Sequence, residues 1–486
     1  MTIGLRSFQS STSGMSGFGA GTDQDIAELS KALEAGYQTG AGKTGGSALR
    51  VESLEASLKV LTYTSSHIKF WKKIPKSPAY STVEEYNQLI NYGGSQNPFV
   101  QEGELPQATD TSYARRVQLV KFLGTTREVT HQASLVHPAH GDLIALENQS
   151  GILWLLEQVE RNLFSGDSSL SFDGEAEQWD GLDSLIDASS VLDLEGNSIQ
   201  EADMEEAANE IIENYGFPTD MFLGTRTMSD LVKTFYPRER ISLPAPQNGQ
   251  VGQTIQTIST QAGVIEFNPD VFIRQNATPP AAATSPNAPA APQILADIAA
   301  ADTSTGDHNK GAPTGTSNVN YVATACNRFG ESAPSPVQAV VVDITQAFKD
   351  AGRSLPVVVT NAASIGAFPT EYIRIYRSAA TLAAGVPTEM SSYSLIAQVP
   401  CTDQGAGATG ATFSDVNLTL PFTSTAYLGE LTPSVVTFRQ LMPMMKMDLA
   451  VLSPAYRWMI LLYGTPILFA PKKWIRMINI GRLDVR

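Results

Sequence analysis

The sequence predicts an α+β body interrupted by an all-β sandwich. Three observations carry that expectation. Two amphipathic helical stretches lie among strand-like segments in the first 276 residues. A Pro/Ala stretch, "NATPPAAATSPNAPAAP" (276–292), then changes the composition abruptly. Beyond it, short strands recur between turn signals without amphipathic helices, the pattern of two packed sheets.

At 486 residues the chain exceeds one ordinary core, so two or more domains are expected. Its 42% hydrophobic content is that of a folded soluble protein, and 28 prolines with 38 glycines point to many turns. The net charge of −16 argues against a surface built to grip nucleic-acid phosphates. No basic segment followed by an apolar core opens the chain, so no secretory signal is expected.

Taken in order, residues 1 to about 22 are Ser/Gly-rich and read as an arm, and helical spacing follows to about Lys73. The turn signals "NYGGSQNP" and "EGELPQATD" then separate strand-like stretches such as "ARRVQLVKFLG". There Val117, Leu119 and Lys121 alternate with Gln118, Val120 and Phe122, a poor pattern for one buried face, so a long hairpin covered by another chain is expected. In "LIALENQSGILWLLEQVERNLFSGD", Ile152, Leu155, Leu156, Val159 and Leu163 fall on one helical stripe that stops at Gly166. A second helix, "SIQEADMEEAANEIIENYG", has Ser198 and Glu201 in capping-box spacing. It presents Met204, Ala208, Ile211, Ile212 and Tyr215 before Gly216. "TDMFLG", "MSDLVKTF", "TIQTIST" and "GVIEFNPDVFI" continue the mixed body.

The motifs that could carry chemistry are weak. "GYQTGAGKTGG" ends like a P-loop, but the spacing requires glycine where Tyr37 stands, and its flanks are helical, so a hinge is the plainer alternative. His131, His137, His140, Glu128 and Asp142 could hold a metal, yet Pro138 makes a turn before the long helix the simpler reading. Cys326 and Cys401 read as an inter-sheet bridge or, more simply, as two buried thiols. The acidic run "EADMEEAANEIIE" fits a solvated helix face. Met442, Met444, Met445 and Met447 fit core or subunit contacts. "WMILLYGTPILFAP" (458–471) is too short for a bilayer and, broken by Gly464 and Pro466, reads as a buried strand pair. No catalytic residue, cofactor or metal site is expected, and the chain reads as a non-enzyme.

The order of arm, hairpin, long helix, turn and acidic helix resembles the major capsid proteins of tailed bacteriophages, with the Hong Kong 97-like fold. The resemblance rests on "EGELPQATDTSYARRVQLVKFLGTTREVT", "LLEQVERNLFSGD" with "QWDGL", and "GNSIQEADMEEAANEIIENYGFPTDMFLG". It implies an N-terminal arm and helical segment at 1–78 and an extended loop at 79–124. It further implies a peripheral domain with a spine helix at 125–195 and 448–486, and an apical domain at 196–276 and 432–447. "YVATACNRFGESAPS" and "TEYIRIYRS" are similar to strands of an immunoglobulin or fibronectin type III-like domain, here an insertion at 277–431.

The implied function is self-assembly into hexamers and pentamers of an icosahedral head around double-stranded DNA, held without sequence-specific binding. Asn97, Phe99, Glu104, Arg115, Arg116 and Lys121 are the implied inter-subunit contacts. Portal and scaffold or cement proteins are implied partners, with no membrane. The implied location is the virion, after assembly in the host cytoplasm. The stretch Leu89 to Leu105 has no lysine, so covalent cross-linking through the loop tip is not expected. Two alternatives stay open: an encapsulin-like compartment, and a surface adhesin or glycan-binding protein using the sandwich.

Overall fold

The computed structural model describes residues 62–483 apart from 95–96, 106–107, 137–141, 171–177, 240–254, 274–276, 295–316, 337–341, 345–354, 363–367, 380–386, 388 and 452. The Ser/Gly arm, most of the helical spacing before Lys73, the P-loop-like stretch, His137, His140 and part of the turn before "QWDGL" lie outside the described residues.

The described chain opens with α1 (Phe70–Lys73) and β1 (Lys76–Pro78). One turn of helix cannot satisfy its own first amides. The N–H groups of Lys69, Phe70 and Trp71 instead donate to the Glu160 carboxylate at 2.7, 2.6 and 2.8 Å. Then come β2 (Val83–Asn91), β3 (Ser112–Leu119), β4 (Lys121–Thr130), α2 (His131–Leu135) and the 23-residue α3 (Leu143–Ser165). Leu155, Val159 and Leu163 of α3 are buried as expected, but Ile152 and Leu156 are only half-buried. Gly151 turns the face: with no Cβ there, Ile460 and Arg127 approach the helix closely.

After α4 (Leu182–Leu185) and β5 (Val191–Asp193) comes α5 (Glu201–Glu213). Its capping lies two residues beyond the expected pair, with the Gln200 N–H donating to Asp203 Oδ2 at 2.8 Å. Met204, Ala207, Ala208 and Ile211 are buried, whereas Ile212 and Tyr215 are exposed. Tyr215 lies past the helix end at φ 62°, and this left-handed backbone takes it off the helical stripe. The chain continues through β6 (Asp220–Gly224), α6 (Thr225–Glu239), β7 (Thr257–Thr260) and β8 (Gly263–Asp270).

The Pro/Ala stretch, described from Ala277, carries no helix and no strand before β9 (Gln293–Ile294). There follow β10 (Ser317–Val319), β11 (Tyr321–Asn327), β12 (Gly330–Glu331), β13 (Val342–Ile344), β14 (Leu355–Thr360), β15 (Tyr372–Ser378), β16 (Tyr393–Pro400) and β17 (Thr409–Asp415). Two sheets, ordered β12-β11-β15-β16 and β17-β14-β9, share a core that includes Ile294, Tyr321, Val357, Val359, Ile373 and Ile375. A buried network ties them: Arg377 pairs with Asp415 at 2.6 Å, and the Tyr321 hydroxyl donates to the same carboxylate at 2.7 Å. Cys326 and Cys401 are free and buried, the plainer of the two readings, and burial pushes the Cys326 thiol up to about 12.

The last strands are β18 (Ser424–Gly429), β19 (Val436–Asp448), β20 (Ala455–Leu468) and β21 (Trp474–Ile480). They build two body sheets, β1-β19-β20-β4 and β5-β21-β18-β6-β8-β7. Three expectations are corrected here. β18 lies within 277–431 yet sits between β21 and β6 of a body sheet. The divisions at 432–447 and 448–486 cut across sheets, because β19 pairs with β20 in one register while β21 returns to the other sheet. The run 458–471 is mainly one strand rather than a pair. Neither Gly464 nor Pro466 breaks it. The Phe438 ring occupies the space a side chain at Gly464 would need. Phe438, opposite Pro466, turns its own N–H to Pro75 on the far side, and β4 pairing stops at Gly464, so proline forfeits no ladder bond.

An aromatic cluster joins these layers. The Phe70 ring lies 5.2 Å from Phe164 and 4.8 Å from Phe222, and Phe164 lies 5.3 Å from Tyr427. Trp474 fills the space beside Gly429 that any Cβ would occupy. Each such fully buried ring stabilises the body by roughly 1.5–3 kcal/mol, so the body has a firm centre without the hairpin.

Candidate subunit interface

Among the described residues β2 and β3 pair only with each other, from Val83 opposite Leu119 to Asn91 opposite Ser112. The root is anchored. Val120 is buried and its N–H donates to the Thr82 carbonyl at 2.9 Å. The Tyr86 ring meets Phe469 edge-on at 5.0 Å, and Gln88 Nε2 donates to the Phe469 carbonyl at 2.6 Å. The contacts with Phe469 use Tyr86 and Gln88, which with Glu84 form the half-buried face of β2, whereas Val83, Glu85, Asn87 and Leu89 on the other face are exposed.

Among the described residues, twelve exposed large apolar side chains fall between Tyr80 and Phe122, including Leu89, Ile90, Tyr92, Phe99, Val100, Leu105 and Tyr113. Scattered exposed apolar residues need no explanation, but this density along one stretch makes it a candidate interaction surface.

The expected contact residues separate into three places. Asn97, Phe99 and Glu104 lie together in the segment joining β2 to β3. Asn97 Oδ1 accepts the Phe99 N–H at 3.1 Å, and Phe99 stands 84% exposed. The Glu104 N–H closes a turn on the Gln101 carbonyl at 3.0 Å, with Gly103 at φ 90°, a conformation that favours glycine. Arg115 and Arg116 lie on β3: Arg115 pairs with Glu85 across the hairpin, and Arg116 Nε donates to Gln88 Oε1 at 3.3 Å. Lys121 is half-buried as the first residue of β4, opposite Gly464, so it belongs to the four-stranded sheet rather than the loop.

A second surface adjoins the hairpin root. On β20, Trp458, Ile460 and Leu462 are buried, while Met459, Leu461 and Tyr463 on the opposite face are half-buried. Register aligns them with Met447, Met445 and Met442 of β19 and with Thr126, Gly124 and Phe122 of β4. Met445 and Met447 are 40% and 41% exposed, and the Phe122 ring stands 4.8 Å from Tyr463. The methionines were legible as contact candidates. Phe122, Leu461 and Tyr463 were not, because only the register brings them to the same face.

Among the described residues no group of three or more His, Cys, Asp or Glu side chains could hold a metal, and no helix is long and apolar enough to cross a membrane. On α5, Glu205, Glu206 and Glu213 are exposed, whereas Glu201, Asp203 and Glu210 are half-buried.

The profile of the SU10 major capsid protein family matches residues 29–285, more than half the chain. The chain belongs to that family. As a phage major capsid protein it forms the capsid shell, and its family is one of structural capsid proteins. The matched span contains the hairpin, α3, α5 and strands β4 to β8. A protein of Enterococcus phage phiEF24C is 28% identical across 94% of this chain and 97% of its own length. The major capsid protein of Staphylococcus phage K is 27% identical across 92% of this chain and 95% of its own. A solved structure from Gordonia phage Cozz aligns over 93% of this chain and 97% of its own, with 9% identity and a TM-score of 0.45.

Proposed function

We propose that this capsid protein assembles as hexamers and pentamers of an icosahedral head in the manner of the Hong Kong 97-like fold. In this reading the hairpin reaches onto a neighbouring copy, and the shell encloses double-stranded DNA without reading its sequence. The observation that carries the proposal is the hairpin itself. It is anchored at its root yet exposed along both strands, with twelve large apolar side chains open between Tyr80 and Phe122. Such area is a liability on a free monomer and a resource between subunits. The methionine-bearing face of the four-stranded sheet offers a second adaptable contact.

The inserted two-sheet unit is an immunoglobulin-like decoration on the outside of the shell. Its net acidic sequence would be repelled by packaged DNA if it faced inward. Portal and scaffold or cement proteins are the further partners, and assembly takes place in the host cytoplasm. Electron microscopy of the expressed chain, with nuclease treatment of particles from infected cells, tests this. Closed shells that protect double-stranded DNA are expected. Monomers only, or shells filled with protein cargo instead of DNA, would contradict the reading.

A further inference from the structure

The chain leaves β17 and enters β18 through residues 416–423, and unusual backbone gathers around that crossing. Five non-glycine residues among those described have left-handed φ, and four of them lie here: Asn417 (60°), Phe422 (63°), Asn479 (56°) and Glu195 (54°). Asparagine tolerates this region, but an aromatic side chain rarely occupies it, and such backbone persists only where its surroundings fix it.

Two buried side chains fix it, one from each side. Asn479, 1% exposed, sits where β21 bulges against β18, and both ends of its amide are engaged. Its Oδ1 accepts the Leu420 N–H at 2.7 Å, while Nδ2 donates to the Leu418 carbonyl at 2.9 Å and to Asp193 Oδ1 at 2.8 Å. Arg377 of β15, 3% exposed, reaches the same segment from the sheets. Its Nη2 donates to Asn417 Oδ1 at 2.7 Å and to the Thr419 carbonyl at 3.3 Å. Positions 417 and 419 are thus held by Arg377, and positions 418 and 420 by Asn479.

Asn479 is itself braced by the body. Asp193 Oδ1 also accepts the Glu195 N–H at 2.9 Å, and the Gly196 N–H donates to the Asn479 carbonyl at 2.9 Å. This turn lies so close to the end of β21 that a Cβ on Gly481 would fall onto the Gly196 carbonyl. The packing of the sheets against α3, by contrast, is open. A cavity of about 550 Å³ is lined from the body by Arg161, Asn162 and Phe272, and from the sheets by Arg374, Leu395 and Gln398. Side chains that face a void of that size lack the close contacts that would fix an angle between the two parts.

We propose that residues 417–420, clamped between Arg377 and Asn479, form a rigid post that sets the orientation of the sheets built from β9 to β17 on the body, with Asn479 as its release point. Without the Asn479 amide the post stays attached to the sheets through Arg377, and the sheets pivot on the body about residues 416–423. The core between the sheets is built from other residues, so it survives the release.

The test uses the full chain and needs no assembled shell. Spin labels on Thr412→Cys in β17 and Glu213→Cys in α5, both exposed positions, report the distance between sheets and body by double electron–electron resonance, while Cys326 and Cys401 are buried. One narrow distance distribution is expected. Asn479→Gly keeps the left-handed backbone accessible and removes only the amide, so it separates the clamp from the backbone conformation. It should broaden the distribution and speed hydrogen exchange of the Leu420 amide roughly tenfold or more, with an unchanged circular-dichroism spectrum. Equal widths with and without Asn479→Gly, or a broad distribution before the change, overturn the proposal. If Asn479→Gly fails to fold, exchange in the wild type decides. There the Leu420 amide should be as protected as the amides of β21, and exchange at the rate of an exposed loop would overturn the proposal.

Discussion

The hairpin and the two sheets built from β9 to β17 are both antiparallel, and they treat their side chains in opposite ways. Along β14, Leu355, Val357 and Val359 are buried in alternation with half-buried neighbours, because a second sheet of the same chain covers that face. Along β2, the alternation runs from exposed to half-buried and then fails altogether toward Asn91. A strand whose pattern closes on its own chain stabilises the subunit. One whose pattern stays open is, in the proposed reading, covered by another subunit.

That contrast can be broken or sharpened by substitution. The largest effect on the subunit is expected from Arg377→Met, which leaves Asp415 charged and buried beside Tyr321. Breaking such a pair costs about 3–5 kcal/mol. Calorimetry of the full chain should show the loss, and an unchanged profile would mean that the two sheets do not depend on this network. Val357→Ala, deep in the shared core, should cost roughly 1.5–3 kcal/mol by denaturant unfolding.

Leu89→Ser and Phe99→Ser, by contrast, should shift subunit stability by no more than about 0.5 kcal/mol while raising the concentration needed for assembly, read by light scattering. Loss of stability comparable to Val357→Ala would show that the hairpin is part of the subunit core after all. The smallest effect is an expected non-event. With no lysine from Leu89 to Leu105, particles boiled in detergent should run as one band near 52.1 kDa, and a ladder of covalent oligomers would contradict this.

Much of this division was readable in the sequence. The failed alternation around Val117 to Phe122 foretold an uncovered hairpin, and the recurring short strands after the Pro/Ala stretch foretold the sheets built from β9 to β17. What escaped was set by long-range pairing. "STAYLG" reads as a short strand whichever sheet it joins, and only its register with Met221 to Leu223 and Ile475 to Met477 puts it in the body. Glu160 lies on the buried side of α3 next to residues that were read correctly, but an acid there gives no sequence signal of burial. Its partners are the amides of a segment ninety positions away. Tyr215 was misplaced for a local reason, a left-handed residue just beyond the helix end.

Excising residues 277–416 with a short Gly/Ser bridge retains β18 and the exit segment, where the Leu420 N–H donates to Asn479 Oδ1 at 2.7 Å. Shells should still form from that variant, perturbed less than by any change to the hairpin tip.

The most direct measurement is sedimentation of the chain lacking Asn91 to Glu104, with circular dichroism on the same sample. The expected result is a subunit with unchanged secondary structure and melting that no longer forms shells or capsomer rings. Particles of normal size from that deletion would contradict the assignment of the hairpin to the interface between subunits.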